Sequence, residues 1–179
     1  METFEHIMVD LETLGTESDS VIMSIAAVPF DLQSGRTGTP YYTNVDIQSC
    51  LDVGLKISGS TLAWWMKQNS AAITRLLSGE SKSLSMALVG LRDAFTWDAA
   101  HVWGNSARFD LGILESAYLK CHTTIPWKFY NERDVRTLVS FNPDVKANMR
   151  FFGTSHDAVD DCLHQIRYCS AIWNSLSKH

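Results

Sequence analysis

The sequence HIMVDLETLG, residues 6–15, decides the fold and raises a question about chemistry. Apolar residues 7–9 and Leu11 indicate a buried strand, and a buried strand rarely holds carboxylates without partners. Asp10 and Glu12 nevertheless interrupt this apolar run. Residues two apart in a strand project from the same face, with Cβ atoms roughly 6.5–7 Å apart. We therefore expect both acids to point to one place, where other groups meet them.

Hydrophobic periodicity divides the chain into an initial group of strands followed by alternating helices and strands. We predict strands over residues 6–13, 21–32, 41–47 and 100–105. We predict helices over residues 60–80, 83–95, 107–121, 134–141 and 156–178. The second and third strands should pair antiparallel through a hairpin. This pattern favours an α/β fold, a mixed β-sheet with an antiparallel three-strand start and helices packed on it.

Composition and charge are typical of an ordinary globular protein. Of the 179 residues, 45% are hydrophobic and 20% are charged, which fits a single domain over residues 1–179. The apolar runs are too short for a membrane span and residues 1–6 lack a signal-peptide pattern, so we expect no membrane partner and a cytoplasmic location. The net charge of −5 argues against a nonspecific nucleic-acid coat. Four scattered cysteines without a CxxC pair argue against zinc and redox motifs.

Three acidic stretches are separated along the chain: DLE (10–12), RFD (108–110) and HDAVDD (156–161). Asp110 is at the start of a predicted helix, where an acid is also a common cap or dipole partner. In the third stretch, Asp161 lies about 120° from the centre of the apolar stripe and is the acid best placed to face a site beside the sheet. Asp157 and Asp160 are interpreted as solvated helix acids. His156 is at the helix mouth, where a lone histidine is also a common cap or surface residue.

Taken together, these motifs resemble those of the DEDDh 3′–5′ exonucleases of the ribonuclease H-like superfamily. The resemblance is carried, in order, by VDLETLG (9–15), WGNSARFD (103–110) and HDAVDD (156–161). Three further stretches resemble the small phage and bacterial branch described as exoribonuclease-like or exodeoxyribonuclease VIII-like: TLAWWMKQN (61–69), RDVRTL (133–138) and VIMSIAAVPFD (21–31). One departure is Gly104 before Asn105, where many members have a histidine. Any substrate contact by that histidine is therefore absent here.

The resemblance implies a two-metal-ion phosphodiesterase with a ribonuclease H-like fold. In such an enzyme Asp10 would bridge two divalent ions, Glu12 and Asp161 would hold the ion that activates water, and Asp110 would support the second ion. His156 would be the general base that takes the proton from the attacking water, because imidazole titrates near neutral pH. Clustered carboxylates repel one another, and hard divalent cations remove this repulsion. Ligands that are all oxygen suit Mg²⁺ or Mn²⁺ rather than zinc.

The resemblance also implies substrate contacts beside the acids. Our candidates for these contacts are Thr13, Leu14, Trp65, Asn105 and Arg108. Thr13 and Leu14 occupy positions where family members contact the terminal nucleotide, and Arg108 is a candidate partner for a phosphate or a carboxylate. Trp64 and Trp65 lie about 100° apart on the predicted helix, so at least one belongs to the core and the other is available to stack on a base.

We predict a metal-dependent 3′–5′ exonuclease that hydrolyses single-stranded RNA or DNA from the 3′ end, with RNA slightly favoured. Residues 128–150 are the best segment for phosphate contacts, although a solvated face explains most of their charges. Two alternatives stay open. One is a non-catalytic nucleic-acid or partner-binding module of the same fold, and the other is a hydrolase of short oligonucleotides. The resemblance also indicates a homodimer, but the sequence identifies no interface for it.

Overall fold

The computed structural model describes residues 4–68 and 70–177, and in this part of the chain the strands form one mixed six-stranded sheet. The strands are β1 (His6–Thr13), β2 (Ile22–Phe30), β3 (Tyr41–Val45), β4 (Ser81–Lys82), β5 (His101–Gly104) and β6 (Glu132–Asp134). Their order across the sheet is β4-β3-β2-β1-β5-β6. Strands β1 to β3 pair antiparallel, while β5 is parallel to β1 and β6 is parallel to β5. The predicted α/β fold with an antiparallel three-strand start is confirmed.

Helices cover both faces of this sheet. They are α1 (Ile47–Asp52), α2 (Gly59–Trp65), α3 (Ser70–Leu77), α4 (Leu84–Ala94), α5 (Ala107–Lys120), α6 (Val135–Ser140), α7 (Pro143–Asn148) and α8 (Ala158–Leu176). Helices α4 and α5 pack on one face, and α8 crosses β1 and β2 on the other face with α6 and α7 against it. Within the described residues, no helix combines the length and the apolarity needed to cross a membrane.

Strand β1 separates two hydrophobic cores because its side chains alternate between the faces of the sheet. Ile7, Val9 and Leu11 belong to the core under α4 and α5. Met8 belongs to the second core, which α8 closes with a stripe that includes Cys162. Asp10 follows Met8 by two residues and therefore emerges on the α8 side of the sheet.

The structure divides the predicted helix 60–80 into two. Helix α2 ends at Trp65, whose indole Nε1 donates a hydrogen bond of 2.9 Å to the carbonyl of Thr13. Helix α3 is fixed elsewhere, since the side-chain amide of Asn44 donates to the carbonyls of Arg75 and Ser78 at 3.3 and 3.0 Å. The two halves are thus held by different strands, which explains why a single helix does not form.

Candidate active site

The two acids of β1 line a cleft on the face of the sheet that α8 covers. Asp10 is opposite Ala26 of β2 in the antiparallel ladder, and Glu12 is opposite Ser24. The cleft has a volume of about 350 Å³. Its wall also contains Asn105, His156 and Asp161. Both acids of the first motif therefore point to one place, and residues of the other two motifs meet them there.

The third motif supplies Asp161 from the first turn of α8 and His156 from the turn before the helix. Carboxylate oxygens of Glu12 and Asp161 and a ring nitrogen of His156 all lie within 4.8 Å of one another. The backbone N–H of His156 also lowers the pKa of Asp161, in opposition to burial. His156 has a φ of 63°, in the left-handed region that non-glycine residues rarely adopt.

The imidazole of His156 is held by two tryptophan rings of α2. The ring centroids of His156 and Trp64 are 5.1 Å apart, and those of His156 and Trp65 are 6.0 Å apart, with both pairs edge to face. Edge-to-face pairs of this kind restrict the orientation of a ring. In this orientation one ring nitrogen of His156 lies within 4.8 Å of the Glu12 and Asp161 carboxylates.

Asp110 lies behind the cleft rather than in its wall. Its side chain is in the first turn of α5 and the residue is only 2% exposed. The backbone N–H of Ser106 donates to its Oδ2 at 3.4 Å. A Cβ atom on Gly104 would lie 3.0 Å from both Cβ and Oδ2 of Asp110. The glycine that departs from the family pattern is therefore the residue that makes room for Asp110.

Burial raises the pKa values of all four acids, and the charges of neighbouring acids raise those of Asp10, Glu12 and Asp161 further. Burial, followed by the charges of Asp110, Glu12 and Asp161, raises the pKa of Asp10 well above its usual value. Burial is also the main cause that raises the pKa of Glu12 to about 8, that of Asp110 to about 7 and that of Asp161 to about 6. In each case the protein disfavours the ionised form of a carboxyl group. A cation placed among them would reverse this preference.

The donor set of the cleft fits a divalent metal ion. The charged ligands are carboxylate oxygens, which hard cations such as Mg²⁺ and Mn²⁺ prefer. Two further oxygens, Asn105 Oδ1 and Gln165 Oε1, are buried without a hydrogen-bond partner in the described part of the chain. Buried polar atoms normally have a hydrogen-bond partner. Two oxygens without a partner, beside carboxyl groups whose pKa values are raised, therefore indicate that a charged or polar ligand binds there.

A second cleft, mostly apolar, is lined by Trp64 and Trp65, the two rings that contact His156. It has a volume of about 370 Å³. Its lining includes Thr13, Gly15, Trp64, Trp65 and Phe109. Trp64 is 43% exposed and Trp65 is 6% exposed, so Trp64 is the ring that presents a free surface. The volume and the aromatic lining of this cleft suit a nucleobase.

The remaining predicted substrate contacts are distributed unevenly around these two clefts. Asn105 is in the wall of the acid cleft. Leu14 is buried below the apolar cleft, and its carbonyl accepts from the backbone N–H of Ser58 at 2.7 Å. Arg108 is exposed on α5 and lines neither cleft. The structure thus brings Thr13, Trp65 and Asn105 to the site and leaves Arg108 outside it.

The interpretation of Asp157 as a solvated helix acid is wrong. The residue is 3% exposed, and its Oδ1 accepts from the backbone N–H groups of Val159 and Asp160, which makes it the N-cap of α8. Its Oδ2 forms an ion pair with Arg75 of α3. The acid is buried because α3, which is distant in sequence, supplies the cation that its burial requires.

Gln165 of the acid cleft escaped the sequence interpretation, and Lys146 was predicted only as one of the cations of residues 128–150. The side-chain amide of Gln165 donates a hydrogen bond of 2.8 Å to Asp10 Oδ1, and Lys146 of α7 lines the same cleft. Gln165 had a detectable signal, since it follows Asp161 by four residues and therefore lies on the same face of the helix. Lys146 belongs to residues 128–150, the segment predicted for phosphate contacts, but its place in the cleft was not predicted because α7 was absent from the predicted elements.

Comparison with solved structures finds the fold of this chain in Escherichia coli exonuclease I. The zinc-bound form of a complex of that protein with single-stranded DNA gives a TM-score of 0.69 at 14% identity, covering 99% of this chain and 43% of the other. A complex with a dT13 oligonucleotide gives a TM-score of 0.68 at 14% identity, covering 97% and 42%. This chain spans less than half the length of those structures. The similarity establishes the fold and confirms the predicted ribonuclease H-like architecture.

Among curated protein sequences, none matches this chain. A family profile described as the 3′–5′ exoribonuclease Rv2179c-like domain matches residues 5–173. The matched range contains all three acidic motifs and His156, and it includes every element from β1 to nearly the end of α8. The predicted assignment to 3′–5′ exonucleases is confirmed at the level of the family. The chain belongs to the Rv2179c-like family of 3′–5′ exoribonuclease domains.

Proposed function

We propose that this protein is a metal-dependent 3′–5′ exonuclease that removes nucleotides from single-stranded nucleic acid, with RNA favoured over DNA. The observation that carries the proposal is the convergence of Glu12, His156 and Asp161 within 4.8 Å, in the cleft that also contains Asp10. Membership in a family of exoribonuclease domains supports both the reaction and the preference for RNA. A single exonuclease domain over residues 1–179 is part of the same proposal.

Asp10, Glu12 and Asp161 would hold two divalent ions, Mg²⁺ or Mn²⁺, with Asp110 as the fourth acid of the set. When bound, such ions supply the positive charge that stabilises the attacking and leaving oxygens of a phosphodiester. The raised pKa values of these acids are what a site with an unmet demand for positive charge should have. Gln165 assists by donating to Asp10, which keeps that carboxylate in one orientation.

His156 would act as the general base. Its imidazole takes a proton from a water molecule as the water oxygen forms a bond to the terminal phosphorus. The bond from phosphorus to the 3′ oxygen of the preceding nucleotide breaks, and the departing oxygen collects a proton from solvent. The contacts with Trp64 and Trp65 orient the imidazole for this transfer.

The apolar cleft would hold the base of the 3′-terminal nucleotide. Trp64 supplies an exposed aromatic surface, and base stacking on such a surface is worth about 1–3 kcal/mol. Thr13 and Asn105 remain the candidates for polar contacts, and Trp65 now becomes the buried support of the stacking ring. Exonuclease I in complex with dT13 has the same fold, which supports single strands as the substrate class.

The decisive experiment is product analysis with 5′-labelled single-stranded RNA and DNA of one sequence, in Mg²⁺ and in Mn²⁺. A ladder that shortens by single nucleotides from the 3′ end is expected, faster on RNA, and both EDTA and Asp10→Asn should abolish it. The matched control is Asp93→Asn, an exposed acid on α4 that should leave the ladder unchanged. Full activity of Asp10→Asn or in EDTA would overturn the proposal. Sedimentation of the same samples tests the predicted homodimer.

A further inference from the structure

A group of cations lies at the outer edge of the acid cleft, on the side formed by α7 and α8. Arg150 follows α7, Arg167 is on the exposed side of α8, and both guanidinium groups lie over the ring of Phe152, at 5.2 and 5.4 Å from its centroid. Lys146 of α7 lies over the ring of Tyr168 at 5.2 Å. We call Lys146, Arg150 and Arg167 the basic ridge.

Among the residues that the structure describes, the cations of the basic ridge have no acidic partner. Some other surface cations are paired, as Lys56 is with Asp19 and Arg92 is with Asp93. In the described part of the chain, no carboxylate lies within ion-pair distance of the basic ridge. On a chain with a net charge of −5, three unpaired cations in one place are a local reversal of sign.

The basic ridge is continuous with the acid cleft. Lys146 lines the cleft together with Phe151 and His164, whose ring centroids are 4.9 Å apart. Arg167 and Lys146 both lower the pKa of His164, after burial, so their charges reach this wall. Phe152 is 55% exposed and directly follows Phe151. Phe151 thus lies in the cleft wall, and the next residue, Phe152, contacts the two arginines of the basic ridge.

Phe152 holds the two guanidinium groups by cation–π contacts, which leave their N–H donors available in the plane of each group. Such preorganised donors match the oxygens of phosphodiesters. We infer that the basic ridge binds the phosphates of the strand on the 5′ side of the nucleotide being removed. This inference rests on the proposed function, because the 3′ terminus must occupy the acid cleft for the rest of the strand to reach the ridge.

The test compares the hydrolysis of two substrates, one long and one short, by the same variant. Arg150→Gln/Arg167→Gln should raise KM about tenfold on a 20-nucleotide single strand and leave hydrolysis of a dinucleotide unchanged, because a dinucleotide does not extend to the ridge. Phe152→Leu keeps the charges but loses the ring, so a smaller rise in KM on the long strand is expected. The matched control is Arg92→Gln/Lys120→Gln on α4 and α5, which should resemble the wild type on both substrates.

Binding separates this inference from the proposed function. Fluorescence anisotropy in EDTA measures the binding constant K of the labelled 20-mer at several salt concentrations. In a plot of log K against the logarithm of the salt concentration, the slope of the double variant should be less steep by about 1.4, or about 0.7 for each lost phosphate contact. A wild-type protein that hydrolyses neither substrate while this slope still changes would contradict the proposed function alone. The inference would be overturned if the double variant kept the wild-type slope and the wild-type KM on the 20-mer. It would also be overturned if the variant lost activity equally on the 20-mer and on the dinucleotide.

Discussion

Gln165 Nε2 lies 2.8 Å from Asp10 Oδ1, and this hydrogen bond joins the middle of α8 to the centre of β1, across 155 positions of sequence. The same bond lowers the pKa of Asp10, in opposition to burial and to the neighbouring acids. Gln165 thus favours the ionised carboxylate that a metal ion needs, although it would not itself contact the substrate. Helix α8 contributes this hydrogen bond together with Asp161, so its position on the sheet determines two features of the site.

Gln165→Leu tests that relationship. A hydrogen bond to a charged group contributes about 1.5–3 kcal/mol, so we expect Mn²⁺ affinity to fall by at least about tenfold. Because the bond lowers the pKa of Asp10, its loss should also move the pH of half-maximal Mn²⁺ binding upward. Calorimetric titration at several pH values measures both effects. Asn174→Ala, which removes an exposed hydrogen bond near the far end of α8, is the control and should leave both unchanged.

The metal-free protein should lose stability as the pH rises. The folded state raises the pKa of Glu12 from an ordinary 4.5 to about 8, so between these values it binds more protons than the unfolded state. The free energy of unfolding therefore decreases with pH across this window. Chemical denaturation in EDTA at pH 5.5 and pH 8.0 measures the decrease, and Mn²⁺ should offset it at pH 8.0.

Glu12→Gln isolates this effect from other titrating groups. Burial lowers the pKa of His6 to about 4, which acts in the opposite direction because the unfolded state gains its proton below about pH 6.5. Because His6 is present in both proteins, its contribution cancels in the difference between the free energies of unfolding of the wild type and the variant. The variant should be the more stable of the two at pH 8.0 without metal and should gain nothing from Mn²⁺. Parallel stability curves for the two proteins would contradict the prediction.

The ion pair between Arg75 and Asp157 should be revealed by a double-mutant cycle. Arg75→Met leaves the buried Asp157 carboxylate without its cation and should destabilise the protein by about 2 kcal/mol, since Arg75 itself is half exposed. Asp157→Asn keeps an oxygen for the N-cap, so the double variant should be more stable than Arg75→Met alone. Urea denaturation measures all four proteins. The exposed pair of Arg92 and Asp93 is the comparison and should contribute less than about 0.5 kcal/mol.

Gly104→Ala should impair activity more than stability. Its new methyl group would lie 3.0 Å from Asp110 Oδ2, so the Asp110 carboxylate must move by a few tenths of an ångström. Gly112→Ala is a matched control in α5, because nothing lies within 4 Å of its new methyl group and alanine is the better helix former by about 1 kcal/mol. Turnover and thermal denaturation of both variants provide the comparison. Equal turnover in the two would show that Asp110 tolerates displacement.

Local sequence predicted the parts of the fold whose side-chain pattern is strong. Strand β1 has the predicted bounds of residues 6–13, and α5 lies over the predicted helix with an end one residue short. Strand β6 was missed because its residues, Glu132–Asp134, are polar and have no apolar alternation. It forms only because β5 offers a parallel edge beside it, a condition that the local sequence does not contain.

The acids of the site were predictable because each lies in or next to a strand or helix with a clear hydrophobic pattern. The order of the three motifs along the chain then indicated that these acids belong to one site. Asp157 was misjudged because helical angle alone cannot reveal a cation from α3. The local pattern also does not show that Trp65 is buried and Trp64 exposed, because Trp65 is buried through a hydrogen bond to the distant Thr13. In both cases the deciding contact joins residues more than 50 positions apart, beyond the reach of local periodicity.

The left-handed backbone of His156 has a consequence for how this residue is maintained. A non-glycine residue in that conformation costs about 1 kcal/mol, roughly what its edge contacts with the two indoles return. Glycine would adopt the same backbone without penalty, so His156→Gly should unfold at nearly the wild-type temperature while losing turnover. Selection for foldability alone would not choose histidine over glycine at this position. Among related sequences we therefore expect the residue at position 156 to be kept for its role in the reaction. At the neighbouring Asp157 we expect the residue to be kept for its packing.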